Sequence, residues 1–152
     1  MAKSSKNKVG LKFDGLEEMI ANLEKVQGDL KATTEKALKA SKEHVNAELR
    51  QVTIPANFPA HGMYSTGKTA QSIDTDMSVT WDGTTASIKI GYDMRISGMT
   101  SIFLMYGTPR HKPPMKAVRK MYNAIYGSKM KKEIAEIQRD VFAAEIRQKM
   151  GG

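Results

Sequence analysis

The chain has 152 residues, 40% of them hydrophobic and 26% charged, which favours one folded domain with a core of its own. It contains no cysteine, so disulfide bonds, thiolate catalysis and cysteine-ligated metal sites are excluded. The net charge of +8 is concentrated at the two ends, since residues 1–12 hold four lysines and no acid, and residues 101–152 hold eleven bases and four acids.

Residues 1–12 are polar and basic without any periodicity, which predicts a flexible basic arm. No apolar segment follows them, and no run approaches the roughly 20 apolar residues that span a bilayer. We therefore expect an intracellular, soluble protein with no membrane contact. The charged ends favour an anionic partner, nucleic acid above all, with a solubilising basic tail as the plainer alternative.

Two helices are predicted next. Asp14 and Glu17 have the spacing of a capping box, and the apolar residues that follow lie at three- and four-residue steps. Gly28 and Asp29 interrupt this pattern, which then continues to about residue 51. The sequence predicts a short helix followed by a long one, and then an extended loop over residues 53–67.

A β-hairpin is predicted at about 73–92. Apolar and polar residues alternate on both sides of Asp82-Gly83, a preferred type I′ turn. If Trp81 faces Thr84 across this turn, the facing residue numbers sum to 165, so that Val79 meets Ala86, Met77 meets Ile88 and Ile73 meets Tyr92. Both apolar sets then lie on one face.

Residues 93–102 are compatible with a loop, a third strand or the start of a helix. The following stretch, FLMYGTPRHKPPM at 103–115, predicts inward packing of residues 103–106, a turn, and a Pro113-Pro114 pair that opens the final helix. We interpret it as a stiff loop that contacts a neighbouring subunit or DNA. Its candidate contact residues are Tyr106, Gly107, Thr108, Pro109, Arg110, His111 and Lys112.

Helical spacing resumes after residue 115 and again after Gly127-Ser128. The order of elements predicts an α+β fold with N-terminal helices, a central antiparallel sheet built around the hairpin, and C-terminal helices packing on the sheet. We expect residues 13–150 to form a single α+β domain.

The sequence offers no convincing catalytic or metal-binding group. His44, His61 and His111 show no paired spacing, and Asp74 and Asp76 alternate with apolar residues as a solvated strand face does. Gly67-Lys68-Thr69 lacks the spacing and the preceding strand of a phosphate-binding loop. We therefore expect no enzyme, no cofactor and no metal site; a nuclease using His111 is the enzymatic alternative.

Nucleic-acid binding has more support. Basic residues from Arg110 to Lys120 lie near Tyr106, Tyr122 and Tyr126, which could stack on bases. These tyrosines also fit the apolar stripe of a helix, and we predict that they pack in the core. Any binding would be directed at the backbone and non-specific, because no sequence-reading motif is present.

The order of four motifs resembles the head–tail joining proteins of long-tailed bacteriophages, known as neck, tail-completion or tail-terminator proteins. The motifs are FDGL at 13–16, TGKTAQSI at 66–73, the hairpin at 73–92 and YGTPRHKPP at 106–114, before a helix from about 115. The resemblance covers nearly all of residues 13–126. Met105 stands where the family commonly has an acid, and Met115 stands where it tends to have phenylalanine.

The resemblance implies a non-enzymatic structural virion protein, made in the bacterial cytoplasm and located at the head–tail junction. Such a protein forms a homo-oligomeric ring, with six-fold symmetry expected and twelve-fold as the alternative, around a channel for DNA. Its other partners would be connector proteins and the tail tube protein. A small basic protein that binds nucleic acid non-specifically is the alternative function.

Overall fold

The structure is a computed structural model that describes residues 16–25, 28–62, 65–108, 110, 112 and 114–151. It is mainly helical with one two-stranded antiparallel sheet, which confirms the α+β fold with helices before and after a hairpin. The predicted arm and Asp14 of the predicted capping box lie outside the described residues. In chain order the elements are α1 (Leu16–Lys25), α2 (Leu30–Val52), two 3-10 helices (Pro55–Asn57 and Pro59–Gly62), α3 (Lys68–Gln71), β1 (Val79–Asp82), β2 (Thr85–Ile88), α4 (Met94–Tyr106), α5 (Arg119–Tyr126) and α6 (Ser128–Gly151).

The predicted pair of a short and a long helix is confirmed. The Gly28 amide donates to the Leu23 carbonyl at 2.9 Å after the last turn of α1. Asp29 Oδ1 then accepts from the Ala32 amide at 2.9 Å, which satisfies one of the free donors at the start of α2. The break between the helices therefore follows from the Gly28-Asp29 pair.

Contacts divide the chain into two compact units. The first consists of the described parts of Met1–His44, Met77–Lys89 and Lys131–Gly152. Its core joins Leu23 of α1, Ala37 of α2 and Phe142 of α6, all nearly inaccessible to solvent. The period of three to four residues in each helix gives one apolar face, and burying these faces together is the main stabilising contribution.

Polar contacts add to the first unit. Trp81 Nε1 of β1 donates to Glu35 Oε1 of α2 at 2.7 Å, and the Lys31 ammonium lies 5.7 Å from the centre of the Trp81 ring. His44 Nε2 and Glu133 Oε2 are 2.7 Å apart, which links α2 and α6. The hairpin and the C-terminal helix are thus each joined to α2.

The second unit consists of the described parts of Val45–Asp76 and Ile90–Met130. Ile73 forms an isolated antiparallel bridge with Tyr92, and the Tyr92 hydroxyl is hydrogen-bonded to Thr53 Oγ1 at 2.7 Å. Its buried apolar residues are Val45, Leu49, Val52, Ile73, Leu104, Met105, Val118, Met121, Ala124, Ile125 and Met130. The single domain expected over residues 13–150 stays a prediction.

The predicted hairpin register is wrong for the strands. Val79 pairs with Ile88 and Trp81 with Ala86, so the numbers sum to 167 rather than 165. The turn is Gly83-Thr84 rather than Asp82-Gly83. Only the first of these two residues has a positive φ, of 60°, which fits a type II′ turn and not a type I′ turn. The predicted pairing of Ile73 with Tyr92 is confirmed.

The region after the hairpin also differs from its prediction. The ambiguous residues 93–102 are largely helical, because Asp93 Oδ1 accepts from the Arg95 amide at 2.9 Å and starts α4. The backbone is non-helical at Ser97, inside this helix. Pro114 does not open a helix: Met115 forms an isolated antiparallel bridge with Thr108, and α5 begins only at Arg119. Pro113 lies outside the described residues.

Candidate functional site

The predicted contact loop is closed at its base by backbone hydrogen bonds. The Gly107 amide donates to the Phe103 carbonyl at 2.7 Å and ends α4. The Thr108 amide donates to the Met115 carbonyl at 2.9 Å, and the Met115 amide donates to Thr108 Oγ1 at 3.2 Å. The Val118 amide donates to the Leu104 carbonyl at 2.7 Å. Residues 115–118 therefore run beside the end of α4.

Gly107 is the residue that makes this closure sterically possible. Its φ of 75° and ψ of −179° lie in a region that is essentially restricted to glycine. A Cβ atom there would lie 2.6 Å from the Met115 carbonyl oxygen and 2.9 Å from the Ala117 nitrogen. Both are backbone atoms, so a larger residue would have to displace the backbone at residues 115–117.

The structure places five of the seven predicted contact residues. Three of them, Tyr106, Arg110 and Lys112, are exposed. Thr108 is half-buried, and its hydroxyl accepts the hydrogen bond that helps to close the loop. Gly107 shapes the backbone. Pro109 and His111 lie outside the described residues.

The prediction that residues 103–106 pack inward is half wrong. Leu104 and Met105 are buried, whereas Phe103 is 42% exposed and Tyr106 is 54% exposed. Exposed apolar side chains continue along the same side of α4 at Met99 and Ile102, which are 62% and 38% exposed. Because Met99, Ile102 and Phe103 are spaced by three and four residues, they form one surface, here named the α4 apolar face.

A groove of about 720 Å³ adjoins this face. Its lining includes Phe103, Leu104 and Met115, together with Arg110 from the predicted loop. A guanidinium beside apolar walls can bind a partner that combines an apolar side chain with an acidic group. The loop and α4 thus contribute to a single recessed surface.

Three tyrosines form a second feature of this unit. The ring centres of Tyr106 and Tyr122 are 5.8 Å apart in an edge-to-face arrangement, and those of Tyr122 and Tyr126 are 5.1 Å apart. Tyr122 is 38% exposed and Tyr126 is half-buried. Burial, with a further contribution from a hydrogen bond with Tyr106, raises the pKa of Tyr126 to about 12. We name Tyr106, Tyr122 and Tyr126 the tyrosine cluster.

The prediction that these tyrosines pack in the core is wrong. The buried side of α5 is formed by Met121, Ala124 and Ile125. Arg119, Tyr122, Asn123 and Tyr126 recur on another side, at three- and four-residue steps. The polar Arg119 and Asn123 were the signal in the sequence that this side faces solvent.

The residues considered for chemistry lie in separate places where the structure describes them, and His111 lies outside the described residues. His44 is paired with Glu133, the side chain of His61 is not described, and the Asp76 amide donates to Asp74 Oδ1 in an irregular segment, not in a strand. Gly67 precedes the four-residue helix α3, where it has a φ of 78°. Among the described residues, no group of three or more histidine, aspartate or glutamate side chains could hold a metal ion.

No model of a known protein family matches the chain, and neither a curated protein nor a solved structure matches it. Within the described residues, none of the helices has the length and apolar character needed to cross a lipid bilayer.

Proposed function

We propose that this protein is a structural virion protein of a long-tailed bacteriophage, a ring-forming connector at the head–tail junction with a tail-completion, tail-terminator or neck role. The observation that carries the proposal is the exposed α4 apolar face beside the groove that contains Arg110. The order of the four sequence motifs gives it a family context.

Ring formation places a specific demand on each subunit. A ring needs head-to-tail contacts, so every subunit presents two different surfaces that fit each other. Exposing Met99, Ile102 and Phe103 to water is unfavourable, at about 25 cal/mol for each Å² of apolar surface. Contact with the next subunit would remove this surface from water. We assign the α4 apolar face to that contact, in a ring of six or twelve copies.

The remaining partners follow from the same proposal. The ring would contact other connector proteins and the tail tube protein, and DNA would pass through its channel. The protein would be made in the bacterial cytoplasm and then be located in the virion.

The test compares two methionine substitutions in the phage genome. Met99→Glu places a charge on the α4 apolar face, and Met150→Glu places the same charge on α6, where the methionine is 72% exposed. Because an unpaired charge is costly to bury, Met99→Glu is expected to reduce incorporation into particles by roughly tenfold or more. Met150→Glu should have little effect. Incorporation is measured by immunoblotting purified particles, and the ring by cryo-electron microscopy.

Circular dichroism of the purified variants controls for folding, since Met99 is mostly exposed and its replacement should leave the monomer intact. Absence of the wild-type protein from purified particles would contradict the proposed function. Equal incorporation of both variants would contradict the assignment of the α4 apolar face.

A further inference from the structure

The tyrosine cluster lies in the most basic part of the chain. From residue 94 to residue 132 the sequence contains nine lysines and arginines and no aspartate or glutamate. Five of the nine are exposed on the loop and at the start of α5, namely Arg110, Lys112, Lys116, Arg119 and Lys120. A partner that neutralises this charge has to be strongly anionic.

Two of these cations are placed beside the tyrosines by the backbone. Arg119 lies three residues before Tyr122 on α5, which puts both side chains on one side of the helix. The Lys116 carbonyl carbon would lie 3.3 Å from a Cβ atom on Gly107, the residue that follows Tyr106. Lys116 and Arg119 are therefore the cations that the backbone brings near the rings, and we name Tyr106, Tyr122, Lys116 and Arg119 the basic tyrosine surface.

The rings distinguish between the anions that could bind. An acidic protein or a DNA duplex would contact only the lysines and arginines. The bases of a duplex are stacked on one another inside it, so their faces are not free to stack on tyrosine rings. Single-stranded nucleic acid offers base faces that stack on exposed aromatic rings while its phosphates contact lysine and arginine. Tyr106 and Tyr122 are open to solvent as this requires.

We propose that the basic tyrosine surface binds single-stranded nucleic acid without sequence preference. Bases stack on Tyr106 and Tyr122, and the exposed lysines and arginines contact phosphates. The stacking residues do not include Met99, Ile102 or Phe103, so this binding can be tested separately from ring assembly, although Arg110 also lines the groove beside the α4 apolar face.

Fluorescence anisotropy of a labelled oligothymidylate tests the proposal on the full-length chain over a series of salt concentrations. We expect binding that weakens steeply as salt rises. Tyr122→Ala should reduce the affinity by about 5- to 150-fold, which is the range for losing one stacked base, while Tyr122→Phe keeps the ring and should bind normally. Tyr106→Ala provides a second test at a more exposed position, where folding is less at risk.

Charge is tested separately. Arg119→Ala should reduce the slope of log affinity against log salt by about 0.7, as expected for the loss of one phosphate contact to a single strand. The matched control is Arg147→Ala on α6, also an exposed arginine, which should leave the slope unchanged. Met99→Glu should also bind normally, so that a failure of assembly and a failure of this inference are distinguishable.

Three results would overturn the proposal. The first is no binding of the oligonucleotide at low salt. The second is unchanged affinity of both alanine variants at Tyr106 and Tyr122, shown by circular dichroism to be folded. The third is displacement of the oligonucleotide by polyglutamate or by duplex DNA at the same phosphate or carboxylate concentration, which would show that charge alone determines binding.

Discussion

Replacing Gly107 with alanine should destabilise the second compact unit through two separate effects. The φ of 75° and ψ of −179° belong to a region that costs a residue with a side chain about 1–3 kcal/mol. In addition, the new Cβ atom would lie 2.6 Å from the Met115 carbonyl oxygen, and relieving such a contact by moving backbone costs about another 1–3 kcal/mol. We expect the free energy of unfolding to fall by about 2–6 kcal/mol.

Gly67→Ala is the matched control. Gly67 has nearly the same φ, 78°, but no atom beyond its neighbours in the chain lies within 4 Å of the position of its Cβ atom. It should lose only about 1 kcal/mol, because left-handed backbone is unfavourable for alanine but nothing is displaced. Replacing glycine with alanine also lowers the conformational entropy of the unfolded chain. This effect is common to both variants, so it cancels when their free energies of unfolding are compared.

Urea unfolding followed by circular dichroism measures both variants, with thermal unfolding as a second measurement. A difference of about 2 kcal/mol corresponds to roughly 4–8 °C in Tm for a chain of this size. If Gly107→Ala is no less stable than Gly67→Ala, the close approach of residues 115–117 to Gly107 is not a feature of the folded protein.

Two further predictions concern ionisable groups. Asp93→Ala should lower the free energy of unfolding at neutral pH, because the Asp93 carboxylate caps α4. Hydrogen bonds from Arg95 hold the pKa of the Asp93 carboxyl below its ordinary 3.8. The difference in stability between wild type and Asp93→Ala should therefore disappear as the pH falls below 3.8 and the carboxyl is protonated. Denaturation at several pH values measures this, and a constant difference down to acid pH would contradict it. Burial raises the pKa of Tyr126 from 10.0 to about 12, so its neutral form is favoured in the folded state. The stability gained over Tyr126→Phe should therefore be present below pH 10 and be lost between pH 10 and 12. A tyrosine titration with no phenol ionising above the ordinary range would show that Tyr126 is not buried.

The helices and the α+β class could be predicted because they depend on local patterns. Gly28-Asp29 ends one helix and starts the next through hydrogen bonds within five residues, and the apolar steps on either side repeat at helical spacing. Ile73 and Tyr92 were paired correctly, although the strands between them are two residues out of the predicted register. That shift keeps the same side chains on the same face, so alternation alone could not reveal it.

The exposed surfaces were harder to predict, because an apolar residue at helical spacing is normally expected to be buried in the core. Phe103 and Tyr122 fit helical stripes as well as Leu104 and Met121 do, yet only the second pair is buried. Which side of α4 and α5 is covered depends on the backbone pairing of residues 115–118, a contact that no local spacing encodes. That the loop contacts a partner stays a prediction, and the burial expected for Tyr106 and Tyr122 was wrong for this reason.

The same pairing explains how the loop can present charge at low entropic cost. Thr108 and Met115 bring the loop ends together through two hydrogen bonds, so Arg110 and Lys112 are carried by a backbone already closed before any partner arrives. An open loop of equal charge would lose more conformational entropy on binding. Because Gly107 allows this closure, we expect its replacement to weaken the binding of any partner that contacts Arg110 and Lys112, even though their charges are unchanged.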